Sequence, residues 1–260
     1  MTPLTAGILA FVQGLTEFLP VSSSGHLVLA GSLLGLPEGD LSFDILVHLG
    51  TLIAVLAVYA RDIRELMSGV LKGKREDLRL AGLLVLGSIP AGAVGFLLSD
   101  RIESLFGNPA IVSGMLLVTG CVLFATKFSG KGHRNEPGPG SALLIGAAQA
   151  LAILPGISRS GLTISAGLAT GVVRERAARF SFLLSVPAIL GAALLDLTAS
   201  SDGGSISMSA AVVGLAVAAV TGYIALRLLI RFLVSGRFHL FCWYCWALGA
   251  VGLTLTLGRG

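Results

Sequence analysis

Apolar runs of about 20 residues recur along the whole chain and constrain its fold more than any other feature. Such a run is long enough for a helix to cross a bilayer core of roughly 30 Å. The 260 residues are 54% hydrophobic and 12% charged, whereas soluble domains carry about 25% charged residues. We therefore predict an all-α polytopic membrane protein and expect no nucleic-acid partner.

Six uninterrupted apolar runs predict six transmembrane helices. These runs lie near 42–60, 80–99, 110–128, 178–199, 209–233 and 239–257. Two further stretches, 4–35 and 142–171, are broken in the middle by proline, glycine and serine. The breaks are Pro20 with Ser22–Gly25, and Pro155–Gly156 with Ser158–Gly161. Because such residues end one helix and begin another, we expect each stretch to form two half-helices of a re-entrant hairpin. Irregular backbone inside a membrane must be buried in protein or line a wet cavity.

The basic residues test this topology. If each hairpin returns to the face from which it entered, fifteen of the 18 Lys and Arg residues lie on one face. They are Arg61, Arg64, Lys72, Lys74, Arg75, Arg79, Lys127, Lys131, Arg134, Arg174, Arg176, Arg179, Arg227, Arg231 and Arg237. Arg101 and Arg259 lie on the opposite face, and Arg159 lies inside the membrane. The positive-inside rule makes the first face cytoplasmic and places both termini outside.

A modest internal repeat relates the two halves of this single membrane domain, 1–260. A shift of 136 residues places 13–25 on 149–161. The identical pairs are Gln13 and Gln149, Leu15 and Leu151, Ser22 and Ser158, Ser24 and Ser160, and Gly25 and Gly161. The halves span about 1–130 and about 140–260. Since the two hairpins enter from opposite faces, we predict an inverted repeat, an architecture that places its site near the membrane midplane.

Ionisable residues inside a membrane are costly and usually functional. The candidates are Glu17, His26 and Arg159, with the amides Gln13 and Gln149, and with Asp44 and His48 at the start of the next span. Gln13 and Glu17 are four residues apart and therefore share a helix face. We expect these groups to surround one cavity, with Gln149, Asp44 and His48 in supporting positions.

Each serine tract begins a half-helix, where unpaired N–H groups and the helix dipole favour an anion. Arg159 adds a planar fork suited to phosphate oxygens. The predicted phosphate-binding residues are Ser22, Ser24, Gly25, Ser158, Ser160, Gly161 and Thr163. Two plainer interpretations stay open, in which the serines only cap helices and Arg159 forms a structural salt bridge with Glu17.

A carboxylate beside an anion site indicates a cation between them. Glu17, and with it Gln13, is therefore a candidate ligand for Mg²⁺ or Ca²⁺. A serine close to a histidine also offers a nucleophile with a general base.

Two segments carry a family resemblance. "QGLTEFLPVSSSGH" at 13–26 and "LPGISRSGLTIS" at 154–165 resemble the paired signatures of the undecaprenyl-diphosphate phosphatases, also called the bacitracin-resistance protein family. "FDILVHLGTL" and "FSFLLSVPAILGA" resemble further family segments, so the resemblance covers nearly the whole chain. It implies a bacterial inner-membrane enzyme that hydrolyses undecaprenyl diphosphate and recycles the lipid carrier of peptidoglycan synthesis. It also implies a divalent metal and a site open toward the periplasm.

The resemblance assigns functional roles to Glu17, Ser23, His26 and Arg159. Gln13 stands where the family's metal-associated acidic pair has its first member. We expect Ser23 to attack the terminal phosphorus while His26 transfers the proton; water activated directly by His26 is the other route.

Two other classes compete with this phosphatase. A flippase for a polyprenyl phosphate lipid would share the inverted repeat and the broken helices. A phosphatidic-acid-type phosphatase would share part of the "SSSGH" motif, but its K-x₆-R-P element is missing from the sequence. The expected partners are a polyprenyl diphosphate lipid and the bilayer, and a homodimer is left open.

Overall fold

The computed structural model describes residues 1–34, 41–199 and 207–258. Arg259, predicted on the outer face, lies outside these residues. The described part contains eleven α-helices. They are α1 (Pro3–Phe18), α2 (Ser23–Leu34), α3 (Leu41–Val58), α4 (Ala60–Leu71), α5 (Arg75–Phe106), α6 (Pro109–Ala125), α7 (Pro139–Leu151), α8 (Arg159–Ala169), α9 (Arg174–Ala199), α10 (Met208–Val234) and α11 (Phe241–Leu257). The only β-type pairing in this part is an isolated bridge between Arg134 and Val172.

Five helices are long and apolar enough to cross a membrane, which confirms a polytopic helical membrane protein. The spans are Arg75–Ser99, Pro109–Phe128, Arg174–Leu194, Met208–Val234 and Phe238–Thr256. They overlap five of the six predicted spans. The remaining one, near 42–60, passes the same test only when α3 and α4 are taken together, with a bend of 74° between them.

The bend follows from the sequence of α4. Its charged residues begin two positions after Tyr59, with Arg61, Asp62, Arg64 and Glu65. Apolar side chains on its other side pack against the protein core. An amphipathic helix of this kind cannot continue a span through hydrocarbon, so the chain turns where the charges begin.

Both interrupted stretches consist of two helices separated by a break. We call residues 19–22, between α1 and α2, the first break, and residues 152–158, between α7 and α8, the second break. Pro20 lies in the first break, and Gly156 in the second has a φ of 91°, a conformation that favours glycine. The predicted interruptions are therefore present in the folded chain.

The second pair of helices begins and ends at the same end of the molecule. The N–H groups of His133 and Arg134, ahead of α7, donate to the Gly171 carbonyl after α8, at 2.9 and 3.0 Å. The N–H of Val173 donates in turn to the Arg134 carbonyl at 3.0 Å. The chain thus returns to its starting level after passing through α7 and α8.

The first pair behaves similarly. Ala6 near the start of α1, Phe43 near the start of α3 and Ala210 near the start of α10 belong to one buried cluster. Since α1 and α3 both begin at this end, the chain has come back between them.

Close packing of small residues holds both pairs in place. At Gly14 of α1, an added Cβ would lie 2.8 Å from the Ala218 carbonyl oxygen of α10. In the same way, Gly146 of α7 packs against Gly87 of α5. Small residues permit such close approach of helices in membranes. Each broken pair therefore rests against a long helix of the other half.

Candidate active site

The two breaks contact each other in a reciprocal manner. A Cβ added to Gly25 would lie 3.4 Å from the Gly156 Cα, and one added to Gly161 would lie 3.4 Å from the Pro20 Cβ. The 136-residue shift converts Pro20 into Gly156 and Gly25 into Gly161. The two contacts are therefore related by the same shift of 136 residues, and they bring the starts of α2 and α8 together.

Side chains from α6 and α11 satisfy the carbonyl groups of the breaks. The Thr119 hydroxyl donates to the Gly156 carbonyl at 3.0 Å and accepts from the Ser158 N–H at 3.2 Å. The Cys245 thiol donates to the Pro20 carbonyl at 3.4 Å. Buried backbone groups of irregular segments need such hydrogen-bond partners inside a membrane. These hydrogen bonds fix the two breaks against α6 and α11.

Serine caps begin both second half-helices. The Ser22 hydroxyl accepts from the Gly25 N–H at 3.2 Å, and the Ser158 hydroxyl accepts from the Gly161 N–H at 3.1 Å. Capping is thus one role of these serines. The two caps differ in backbone conformation, because Ser22 has a φ of 64° whereas Ser158 has a φ of −80°.

The Glu17 carboxylate, with 7% of its side chain exposed, is the centre of the site. Its Oε1 accepts from an Arg159 terminal nitrogen at 2.6 Å. Its Oε2 accepts from the Ser23 hydroxyl at 2.7 Å and from the Gln13 amide at 3.0 Å. One carboxylate therefore joins α1, the start of α2 and the start of α8, and the Arg159 guanidinium balances its charge.

Helix α3 adds His48 to this centre. The His48 Nδ1 donates to the Asp44 carbonyl at 2.7 Å, which leaves Nε2 of the neutral ring as an acceptor. The Gln13 amide nitrogen lies 3.1 Å from that Nε2, and Glu17 Oε2 lies 3.7 Å from it. His48 therefore orients Gln13 next to Glu17, while Asp44 fixes the ring of His48 through its backbone.

His26 is placed differently from our expectation. Its Nδ1 donates to the Ser22 carbonyl at 2.7 Å, and its Nε2 lies 2.6 Å from the Tyr244 hydroxyl oxygen. The two rings also stack, with centroids 5.6 Å apart and 6° between their planes. Within the described residues, we find no hydrogen bond between His26 and Ser23. Tyr244 was missed from the sequence because a tyrosine in an apolar helix carries no signal of its own.

Two of the predicted residues lie away from the carboxylate. Gln149 is buried, and neither of its amide atoms has a hydrogen-bond partner in the part of the chain that the structure describes. The Thr163 hydroxyl donates to the Arg159 carbonyl at 2.7 Å and pairs with Ser181 of α9. Thr163 thus links α8 to α9. The hydroxyls of Ser24 and Ser160 lie 3.3 Å from the hydroxyls of the two capping serines.

The donors available for a divalent cation are few. No group of three or more His, Cys, Asp and Glu residues that could hold a metal occurs among the described residues. The Gln13 Oε1 atom, however, is buried without a hydrogen-bond partner in this part of the chain. It is a hard oxygen on the residue next to the Glu17 carboxylate. These donors fit a cation that takes its other ligands from a phosphate-bearing substrate, as Mg²⁺ commonly does.

The fold and the site together define a multi-pass helical membrane protein with a buried Glu–Arg–Ser centre between two broken helix pairs. Comparison with known proteins assigns its family. The family described as Bacitracin resistance protein BacA matches residues 6–251, and the chain belongs to that family. This confirms the family predicted from the two signatures.

Curated relatives match over nearly their whole lengths. A protein of Desulfosudis oleivorans is 45% identical, covering 99% of both chains. One of Desulforapulum autotrophicum is 44% identical, covering 95% of both, and one of Methanosphaera stadtmanae is 39% identical, covering 98% of both. Each of these three proteins is named undecaprenyl-diphosphatase.

Proposed function

We propose that this protein hydrolyses undecaprenyl diphosphate to undecaprenyl phosphate and inorganic phosphate, and so recycles the lipid carrier of cell-wall synthesis. The observation that carries the proposal is the convergence of Ser23 and Arg159 on the Glu17 carboxylate. A nucleophile, a base and an arginine fork are the groups that a phosphoryl transfer requires. The names of the full-length relatives support the same substrate.

Arg159 and the starts of α2 and α8 would bind the diphosphate. Arg159 has five N–H donors, and the bond to Glu17 engages one terminal nitrogen. The first N–H groups of both half-helices have no acceptor within their own helix and favour an anion. Because the two helix starts meet at the contact of the breaks, one diphosphate can be bound from both sides.

Ser23 would be the nucleophile, with Glu17 as its base. The Ser23 hydroxyl already donates to Glu17 Oε2 at 2.7 Å, so the proton has an acceptor when the oxygen attacks the terminal phosphorus. The bond from that phosphorus to the bridging oxygen breaks, and undecaprenyl phosphate leaves. Water then hydrolyses the phosphoserine and releases phosphate. This route replaces the one through His26, whose two nitrogens contact Ser22 and Tyr244.

Glu17 and the Oε1 of Gln13 would hold a divalent cation, Mg²⁺ or Ca²⁺, together with the substrate. The bound cation would neutralise charge on the diphosphate oxygens. Since Gln13 supplies an uncharged oxygen, we expect the cation to bind weakly until the diphosphate adds its own oxygens.

We further propose six spans and two re-entrant hairpins in an inverted repeat of the halves 1–130 and 140–260. Support comes from the reciprocal contacts of the breaks and from the hydrogen bonds that join the chain ahead of α7 to the chain after α8. The excess of basic residues on one face supports a bacterial inner-membrane protein with both termini outside and the site open to the periplasm.

The decisive experiment measures phosphate release from undecaprenyl diphosphate by the purified protein in detergent, with and without EDTA. Wild type would be compared with Glu17→Ala and Arg159→Ala. Arg179→Ala is the matched control, because Arg179 also pairs with a carboxylate, Asp62 at 2.6 Å, but lies away from the breaks. We expect metal-dependent release by wild type and the control, and its loss in the two site variants.

No release by a folded wild type that binds the lipid would contradict the proposal. It would favour a flippase for polyprenyl phosphate lipids, since reciprocal contacts between two broken helix pairs also suit a transporter.

A further inference from the structure

The backbone of Ser22 distinguishes the first helix cap from the second. Ser22 is the only residue other than glycine with a positive φ in the described chain, at 64°. Ser158, its equivalent by the repeat, caps α8 with an ordinary extended backbone. Left-handed backbone costs free energy for a residue with a Cβ, so the surrounding structure must hold Ser22 in place.

The His26 side chain contacts the Ser22 backbone directly. Its Nδ1–H donates to the Ser22 carbonyl at 2.7 Å. The residue at the equivalent position of the second half is Leu162, which has no side-chain donor. An imidazole is therefore present at the cap with the strained backbone, and an aliphatic side chain is present at the relaxed one.

Tyr244 fixes the ring of His26 from α11. A backbone carbonyl can only accept, so Nδ1 carries the proton, and Nε2 of the neutral ring accepts from the Tyr244 hydroxyl 2.6 Å away. The stacked geometry, with 6° between the planes, fixes the rotation of the ring. Both nitrogens of His26 are thereby used in support of the break.

We propose that His26 and Tyr244 are positioning residues, which hold Ser22 in its left-handed conformation and so direct the next residue, Ser23, at Glu17. This inference rests on the proposed function. In this proposal His26 takes no part in proton transfer. The Ser23 hydroxyl lies 2.7 Å from Glu17 Oε2 and gives its proton to that carboxylate. The two residues act on the rate through the orientation of the nucleophile.

Replacement of His26 by two different amides tests the proposal. The side-chain NH₂ of Asn can take the place of Nδ1–H, whereas that of Gln lies near the place of Nε2. We expect His26→Ala and His26→Gln to lower kcat about 10- to 100-fold with little change in KM, as for a lost buried hydrogen bond that opposes backbone strain. His26→Asn should recover most of that loss. Tyr244→Phe should lower kcat about 3- to 10-fold.

Two controls accompany these variants. His239→Asn and Tyr223→Phe change the same residue types outside the breaks and should leave kcat and KM unchanged. Thermal unfolding in detergent verifies that each variant is folded.

A double-variant cycle provides a second measurement that does not depend on the amides. Glycine adopts a positive φ without strain, so the cost of His26→Ala should be smaller in the Ser22→Gly background than in wild type. The loss of the Ser22 cap is common to both arms of this comparison and cancels.

Several outcomes would overturn the proposal. They are a His26→Gln variant more active than His26→Asn, an Asn variant no better than Ala, or an equal cost of His26→Ala in both Ser22 backgrounds. The first of these would assign proton transfer to Nε2. A wild type without phosphatase activity would instead contradict the proposed function, and this inference with it.

Discussion

Ser23 and Arg159 occupy the same position in the two halves of the chain, and both donate to the carboxylate of Glu17, at 2.7 and 2.6 Å. Each directly follows the serine that caps its half-helix. The 136-residue shift thus relates a neutral hydroxyl at one oxygen of the carboxylate to a cation at the other. Glu17 itself falls on an isoleucine, Ile153, under the same shift, so its carboxylate has no counterpart at the equivalent position of the second half.

The pairing of Glu17 with Arg159 makes a prediction about stability. Breaking a buried ion pair costs about 3–5 kcal/mol, and we expect less here because 18% of the Arg159 side chain is exposed. Glu17→Gln and Arg159→Gln should each lower the unfolding temperature in detergent, and the double variant should be more stable than either single variant. Glu65→Gln, which disrupts an exposed pair with Arg61, should leave the unfolding temperature unchanged. Additive losses in the double variant would contradict the pairing.

The shape of the Arg159 side chain makes a second prediction. Lysine keeps the charge but lacks the planar fork that binds phosphate oxygens in pairs. Arg159→Ala should lower kcat/KM about 100- to 1,000-fold, as for loss of a principal electrostatic donor. Arg159→Lys should recover only part of this loss. The steady-state rate of phosphate release measures both, and Arg179→Lys is the control. Full activity of Arg159→Lys would mean that Arg159 acts through charge alone.

The bond from Ser23 to Glu17 predicts a phosphoenzyme. Substrate labelled in its terminal phosphate should transfer the label to Ser23 in rapid-quench experiments, and mapping of the labelled peptide should identify that residue. The Ser23→Ala variant should retain no label. The control variant Ser68→Ala, which changes a serine of α4, should be labelled to the same extent as wild type. Turnover by wild type without any labelled serine would favour direct attack by water.

Much of this site could be predicted from the sequence because its elements are local. Gln13 and Glu17 share a helix face by their spacing, and the serine tracts follow helix-breaking residues. The contact of Glu17 with Arg159, 142 positions apart, matches the structural salt bridge that the sequence left open as a plainer interpretation, because a buried arginine needs an anion. The breaks at Pro20 and Gly156 could be read directly from residue type.

The unpredicted features depend on tertiary contacts. The pairing of His26 with Tyr244 joins residues 218 positions apart. The sequences of α2 and α11 contain no pattern that predicts this contact. The left-handed backbone of Ser22 is set by this surrounding structure, whereas sequence would assign such a conformation to glycine. Gln149 matches Gln13 in sequence, but it lacks an equivalent of Glu17 one turn later, and its side-chain amide makes no hydrogen bond among the described residues.

The topology makes a prediction that labelling can test. In a background without native cysteines, Gly107→Cys should react with an impermeant maleimide in intact cells, and Lys74→Cys only after the membrane is opened. Gly140→Cys at the start of α7 and Glu175→Cys at the start of α9 lie at exposed positions on either side of the second break, and both should behave like Lys74→Cys. If these two cysteines were labelled from opposite faces of the membrane, α7 and α8 would together form a full span. That result would contradict the inverted repeat.

Gln13 allows the metal proposal to be tested by a gain of affinity. Gln13→Glu places a second carboxylate beside Glu17, and two carboxylates bind a hard cation more tightly than a carboxylate and an amide. We expect half-maximal activity at an Mg²⁺ concentration about 10-fold lower than in wild type, in line with a gain of roughly 1.4 kcal/mol. Without metal, Gln13→Glu should lower the unfolding temperature, since like charges at hydrogen-bond distance repel. Gln149→Glu is the matched control, because Gln149 falls on Gln13 under the 136-residue shift but its side chain has no hydrogen-bond partner among the described residues. If Gln13→Glu left the metal dependence unchanged, the cation would have to be bound without Gln13.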